Sequence, residues 1–207
     1  MAPIRFPERG LYLITPDDGD SEALIARVQP VLPFAACLQY RRKRTDGARR
    51  RDEAERLRAL CHHMGVCFIV NDDPALAREV HADGVHLGEH DGGIISARAL
   101  LGPDRCIGVS CYDDAALART ATAAGADYVA FGALFPSSTK PGARHATPAL
   151  FAETRGLGVP RVAIGGITPD NARIAVAADA DLVAVIGGVF DAPDPVAAAR
   201  TIAAAFD

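Results

Sequence analysis

The chain has 207 residues, 49% of them hydrophobic and 23% charged, which excludes global disorder and allows one well-buried domain, an α/β barrel included, since such barrels begin near ~200 residues. A formal net charge of −4 excludes overall electrostatic attraction to nucleic acid or to an anionic membrane, so any anion site must be local. No apolar run approaches the ~20 residues needed to cross a bilayer, and the start "MAPIRFPERG" lacks the basic-then-apolar layout of a secretion signal.

The first predicted strand is "LYLIT" at 11–15, followed by "AACLQY" at 35–40, "VCFIV" at 66–70 and "GVHLG" at 84–88. The series continues with "CIGVS" at 106–110, "YVAFG" at 128–132, "RVAIG" at 161–165 and "LVAVIG" at 182–187. Between these eight runs lie Ala-, Leu-, Arg- and Glu-rich stretches with helical spacing, among them Ala75–His81, Ala115–Ala124 and Asn171–Ala177, and a last one spans Val196–Phe206. Several of the five cysteines, Cys37, Cys61, Cys67, Cys106 and Cys111, sit inside the apolar runs and form no Cys-x-x-Cys pair. They read as reduced core residues of a cytoplasmic protein, with no zinc site.

Three segments resemble one another: "HADGVHLG", "GADYVAFG" and "DADLVAVIG" each give Ala-Asp, an apolar strand and then Gly. Repetition at the scale of a βα unit, with strands apolar on both faces, predicts a parallel sheet covered by helices. Eight such units close into a single (β/α)8 TIM barrel, predicted to span residues 1–207. An open doubly wound sheet is the competing architecture; no Gly-x-Gly-x-x-Gly follows the first strand, which weakens its dinucleotide-binding form.

In either architecture ligands bind where strands end, and those ends are polar here. In "LQYRRK", Gln39, Arg41 and Lys43 alternate as they leave the second strand, and alternation on an extended segment points all three to one side. One amide and two cations suit a ligand with polar ring atoms and phosphates. The longer run "RRKRTDGARRR" reads as a solvated loop and helix face rather than a nucleic-acid site, because "DEAERLR" continues it with both charge signs. After the third strand comes Asn71-Asp72-Asp73, and after the fourth "GEHD", ending at Asp91. Singly, each aspartate reads most simply as a helix cap, and Pro74 fits a first helical turn. As a pair on adjacent parallel strands, Asp72 and Asp91 converge on one point and suit Mg2+ completed by water and a substrate phosphate. His86 lies inside its strand and reads as a packed residue. Gly165-Gly166 and Gly187-Gly188 follow the seventh and eighth strands, where such barrels hold phosphate on backbone N–H groups. "FPSSTKPG" adds Ser137, Ser138, Thr139 and Lys140 on a loop between prolines. A cation site, a basic cluster of diphosphate size and a separate monophosphate cradle imply two phosphorylated substrates, or one with phosphate at both ends.

These motifs, in this order, resemble those of the thiamine-phosphate synthase family. They are Gln39-Tyr40-Arg41-Arg42-Lys43, Asn71-Asp72, Gly84 to Asp91, Gly108-Val109-Ser110, Phe135 to Lys140 and Ile164 to Ile167, and the likeness runs from "LYLITPD" to "DPVAAA". The resemblance implies a Mg2+-dependent transferase that joins hydroxymethylpyrimidine diphosphate to a thiazole phosphate and releases diphosphate. It places Mg2+ on Asp72 and Asp91. The pyrimidine diphosphate falls to the run Gln39, Tyr40, Arg41, Arg42 and Lys43 with Asn71, Ser110 and Lys140, of which Arg41, Lys43, Ser110 and Lys140 assist the chemical step. Ser137, Ser138 and Thr139 go to the thiazole, and its phosphate to backbone at Gly166, Ile186 and Gly187. Glu89 stands where the family often has Gln, Gly187 stands where serine is frequent, and "PGARHATPAL" departs from the commonest pattern. The rival readings are a thiazole tautomerase, a binding-only barrel for thiamine precursors, and another phosphate-binding barrel such as a phosphosugar isomerase. The expected partners are small phosphorylated molecules and, as one option, further copies of this chain; nucleic acid and membrane are not expected.

Overall fold

All eight apolar runs form strands, within two residues of their expected bounds. The computed structural model describes residues 3–17, 19–43, 46–89, 91–136 and 145–207. The strands are β1 (Gly10–Ile14), β2 (Ala35–Tyr40), β3 (Cys67–Asn71), β4 (Gly84–Leu87), β5 (Cys106–Tyr112), β6 (Tyr128–Gly132), β7 (Arg161–Ile164) and β8 (Leu182–Val185). Each pairs in parallel with its neighbour in sequence, and β1 also pairs with β8, so the sheet is a closed barrel in strand order 1 to 8. The open-sheet alternative is thereby excluded.

The helices are α1 (Ser21–Val28), α2 (Gly47–Met64), α3 (Pro74–Glu79), α4 (Ile94–Leu101), α5 (Ala115–Ala123), α6 (Pro148–Glu153), α7 (Ala172–Ala177), α8 (Gly187–Phe190) and α9 (Pro195–Ala203). Their starts are written in the sequence. Asp20, Asp46, Asp73, Asp114 and Asp194 each cap a helix by accepting backbone N–H bonds from its first turn, and proline opens α3, α6 and α9 where no N–H is required. Among the described residues no helix is long and apolar enough to cross a membrane.

Alternation along the strands divides the apolar residues into two cores. On β1, Leu11 and Leu13 face outward and join a cluster with Leu24, Val28, Leu57 and Ile202 from the helices. Tyr12 and Ile14 face inward and pack with Cys37, Cys67, Cys106, Tyr128 and Val162 inside the barrel. Ile4 and Phe6 pack against this inner cluster, with the Phe6 ring stacked on Tyr128 at 3.9 Å between centroids. All five cysteines are buried and unpaired. Burial pushes the Cys37, Cys61 and Cys106 thiols well up, and Cys111 up to about 12.

The repeated Ala-Asp has a structural reason. Asp83, Asp127 and Asp181 each donate their own N–H to the carbonyl of one residue on the preceding strand, Phe68, Ile107 and Arg161. Each then accepts that same residue's N–H on its carboxylate, at 2.8, 2.7 and 2.8 Å. The two bonds lock neighbouring strands together at the amino-terminal face of the barrel, away from the strand ends that carry the site.

Candidate active site

The run that leaves β2 is pinned from both sides. Thr15, fully buried at the end of β1, accepts the Arg41 N–H at 2.8 Å and donates its hydroxyl to the Arg41 carbonyl at 3.1 Å, while Asp17 accepts the Lys43 N–H at 2.9 Å. Neither Thr15 nor Asp17 is a sequence-predicted site residue; the polar pair at the exit of "LYLITPD" is the signal that could have found them. The side chains then separate as extended alternation requires. Gln39 turns into the barrel.

Tyr40 and Arg42, both expected at the substrate, turn their side chains outward to Glu53 on α2. Tyr40 donates to Glu53 Oε2 at 2.8 Å, and Arg42 reaches both carboxylate oxygens at 3.1 and 3.2 Å. Ser21 and Arg49 complete the carboxylate's shell. Burial alone would raise the Glu53 carboxyl; the hydrogen bonds from Tyr40, Ser21, Arg42 and Arg49 outweigh it and hold it below its usual value. Tyr40 is pushed the other way, first by burial and then by its bond to Glu53. Further along, Arg50 meets Asp73, Arg51 meets Glu55 and Glu79, and Arg56, beyond the basic run, meets Glu22 and Asp52.

At the end of β3 the capping question resolves. Asp73, not Asp72, caps α3 through the Leu76 N–H at 2.9 Å, and Arg50 holds its other side. Asp72 is left at φ 62, a left-handed backbone rarely adopted by a residue with a side chain, and its N–H donates to the His86 carbonyl at 2.8 Å. Asp91 does not cap α4, whose N-cap is Gly93; its Oδ2 accepts the Gly88 N–H at 2.8 Å. A Cβ at position 88 would lie 2.7 Å from that oxygen, so a larger residue there would require the Asp91 carboxylate to shift.

The two carboxyl groups meet. Half-burial first, then the hydrogen bond and charge of Asp91, raise Asp72 from 3.8 to about 6, against the opposing pull of Lys43 and of a bond from Asn71. Among the described residues no group of three or more His, Cys, Asp or Glu is gathered as a metal site. Two carboxylates that repel each other, one on a strained backbone and both at strand ends, fit a hard divalent cation that takes its other ligands from water or phosphate oxygen.

On the other side of the mouth the glycines are required by space. Gly165 (φ 101) and Gly166 (φ 65) adopt left-handed backbone, and a Cβ on Gly166 would lie 2.4 Å from the Pro136 carbonyl oxygen. Asn171, absent from the expected set, holds this turn by donating to the Gly166 carbonyl at 2.9 Å and accepting the Thr168 N–H at 2.8 Å. Ile186 and Gly187 lie at the start of α8, half-buried. Ser137, Ser138, Thr139 and Lys140 lie outside the described residues.

Gln39 and Ser110 are joined through the barrel. Gln39 Nε2 donates to Tyr12 Oη at 2.9 Å, Tyr12 Oη lies 2.8 Å from Tyr128 Oη, Tyr128 Oη lies 2.9 Å from His86 Nδ1, and His86 Nε2 lies 2.9 Å from Ser110 Oγ. His86 is the packed residue expected, but packed on polar partners.

Comparison with known proteins shows the family. The family model described as "Thiamine monophosphate synthase" matches residues 11–189. A thiamine-phosphate synthase of Xanthomonas campestris pv. campestris is 57% identical over 198 residues, 96% of each chain. One from an Azoarcus species is 58% identical over 200 residues, 96% of this chain and 97% of the other. Among solved structures, a thiamine phosphate pyrophosphorylase from Pyrococcus furiosus superposes with a TM-score of 0.85 at 30% identity, covering 96% of both chains. With sequence likeness across the whole barrel and a solved relative of the same architecture, the chain belongs to the thiamine monophosphate synthase family.

Proposed function

We propose that this chain is a thiamine-phosphate synthase of thiamine biosynthesis, condensing 4-amino-5-hydroxymethyl-2-methylpyrimidine diphosphate with hydroxyethylthiazole phosphate, carboxylated or not, in a Mg2+-dependent reaction. In it the bond from the pyrimidine CH2 to the diphosphate oxygen breaks, its electron pair leaving with diphosphate. The thiazole nitrogen then supplies the pair for the new C–N bond. The observation that carries the reading is the meeting of Asp72 and Asp91 beside Lys43, at the mouth reached by Gln39, Arg41 and Lys43. Those two carboxylates would hold Mg2+, which when bound supplies charge neutralisation for the leaving diphosphate.

The protein's own groups then have plain tasks. Arg41, Lys43 and, from the loop outside the described residues, Lys140 place fixed positive charge where the diphosphate gains negative charge, the kind of preorganised electrostatics that contributes most to such steps. Gln39, Asn71 and Ser110 orient the aminopyrimidine, whose electron-rich ring stabilises a cationic CH2. Ser137, Ser138 and Thr139 hold the thiazole in line, and backbone N–H groups at Gly166, Ile186 and Gly187 take its phosphate. No protein nucleophile is needed; exclusion of water and alignment of the two rings complete the work.

The test is diphosphate release by purified protein given both substrates, with and without Mg2+, alongside direct assay of thiamine phosphate. Release that needs both metal and thiazole phosphate is the expected result. Folded protein that releases no diphosphate would overturn the reading in favour of a tautomerase or a binding-only barrel. Lys140→Ala should lower kcat more than it raises the thiazole KM; a pure rise in that KM would assign the ammonium to the other substrate.

A further inference from the structure

The polar chain inside the barrel has a direction. The Gln39 amide nitrogen donates to Tyr12 Oη; a chain that keeps this sense would pass the Tyr12 proton to Tyr128 Oη and the Tyr128 proton to His86 Nδ1. A ring nitrogen that accepts carries no hydrogen, so in that sense the neutral imidazole would have its N–H at Nε2 and would donate to Ser110 Oγ. The two ends of the chain would then have defined roles: Gln39 Oε1 as an acceptor, and the Ser110 O–H as a donor. Turning the Gln39 amide over would reverse all five members and exchange both roles.

The surroundings are built for this chain. Tyr12, Gln39 and Tyr128 are 1%, 3% and 0% exposed, so no water competes for their bonds. Burial pushes both phenols well above their ordinary range, which keeps their protons in place. Tyr128 crosses the barrel because position 108 is glycine: a Cβ there would lie 1.9 Å from Tyr128 Cζ. Gly108 stands in register between His86 on β4 and Tyr128 on β6, which gives the glycine of "GVS" a purpose separate from any turn.

We propose that Tyr12 and Tyr128 are positioning residues which, through His86, fix the hydrogen-bond direction of the chain so that Gln39 offers an acceptor and Ser110 a donor to the substrate ring. The proposal rests on the reading above only for what the substrate is; the direction belongs to the free protein. An aminopyrimidine, with an exocyclic N–H donor and ring-nitrogen acceptors, is the class of ligand such a pair selects. Each end of the chain thereby depends on the other across the barrel, although Gln39 and Ser110 lie on strands separated by β3 and β4.

The first experiment is 15N NMR of the histidine rings in free protein, with His86→Gln used for assignment. An Nε2–H tautomer is expected; an Nδ1–H or doubly protonated ring overturns the direction. The second is a cycle of Tyr128→Phe and Ser110→Ala. Phenylalanine keeps the ring on Phe6, so the barrel should fold, while the lost hydroxyl should lower kcat/KM by at least about tenfold. The same change should cost clearly less in the Ser110→Ala background, because only the part of its effect that passes through Gln39 then remains. Equal losses in both backgrounds would make Tyr128 a merely structural residue and overturn the proposal. Tyr12→Phe, at the other join, is the substitute should Tyr128→Phe fail to fold. A protein that never releases diphosphate defeats the functional reading alone; the tautomer measured in the free protein still decides the chain's direction.

Discussion

Asp72 concentrates the tension of the site: left-handed backbone at φ 62, and a carboxyl raised to about 6 by burial and by its neighbour Asp91. A carboxyl raised in the folded state binds its proton more tightly folded than unfolded, so this group makes stability fall as pH climbs from its ordinary value of 3.8 through about 6. Metal-free protein followed by thermal unfolding across that window should show the decline, and Asp72→Asn should remove it. Above that window Mg2+ should raise the melting temperature of the parent chain by mass action, and raise it far less in Asp72→Asn. The same substitution should lower kcat by about a hundredfold or more if the carboxylate holds the cation that neutralises the leaving group. Unchanged turnover at saturating Mg2+ would remove the assignment.

Among the elements, the exit of β2 shows how a run proposed to bind substrate is made rigid from behind. Glu53 is 0% exposed and binds Tyr40, Arg42, Arg49 and Ser21, so half of the run is anchored to α2 and α1 while the other half faces the mouth. Glu53→Ala leaves the buried Arg42 guanidinium without its carboxylate and should cost about 3–5 kcal/mol by urea denaturation, with a rise in KM for the diphosphate substrate as the run loosens. The exposed pair of Arg119 and Glu153 is the comparison: Arg119→Ala should cost about 0.5 kcal/mol or less. At the opposite face, the three aspartate clamps should differ. Asp83 is fully buried and also binds the Ile4 N–H and His62, whereas the Asp127 side chain is 44% exposed, so Asp83→Ala should destabilise by about 2–4 kcal/mol and Asp127→Ala by about 1 kcal/mol. Neither should change kcat, since both act where the strands begin.

At the scale of the whole molecule, the inner and outer cores enclose all five cysteines, and burial raises Cys37, Cys61, Cys106 and Cys111. Folded protein at pH 7.5 should therefore leave its thiols unreacted toward Ellman's reagent, and reaction should follow global unfolding. The barrel itself was legible in the chain. Eight apolar runs of strand length, helix caps at Asp20, Asp46, Asp73, Asp114 and Asp194, and prolines at helix starts are local instructions, read within a few residues of where they act. The position of Asp72 and Asp91 at adjacent strand ends was legible for the same reason: period and order fix which end of a parallel strand a residue occupies. The alternation of Gln39, Arg41 and Lys43 was also readable, and the same alternation sends the Tyr40 and Arg42 side chains to Glu53. What the sequence could not supply was partnership across distance. Nothing near Glu53 marks it as the counter-ion of Arg42, nothing in "LYLIT" says that Tyr12 will meet Tyr128 across 116 positions, and the choice of Asp73 over Asp72 as cap depends on where α3 begins. The sequence determined the elements, their order and the residues delivered to the carboxyl ends of the strands, because these follow from local periodicity. Only closure of the barrel decided which carboxylates repel, which hydroxyls pass a hydrogen bond onward and which way each proton points, because those energies depend on distances that exist only once β1 has met β8.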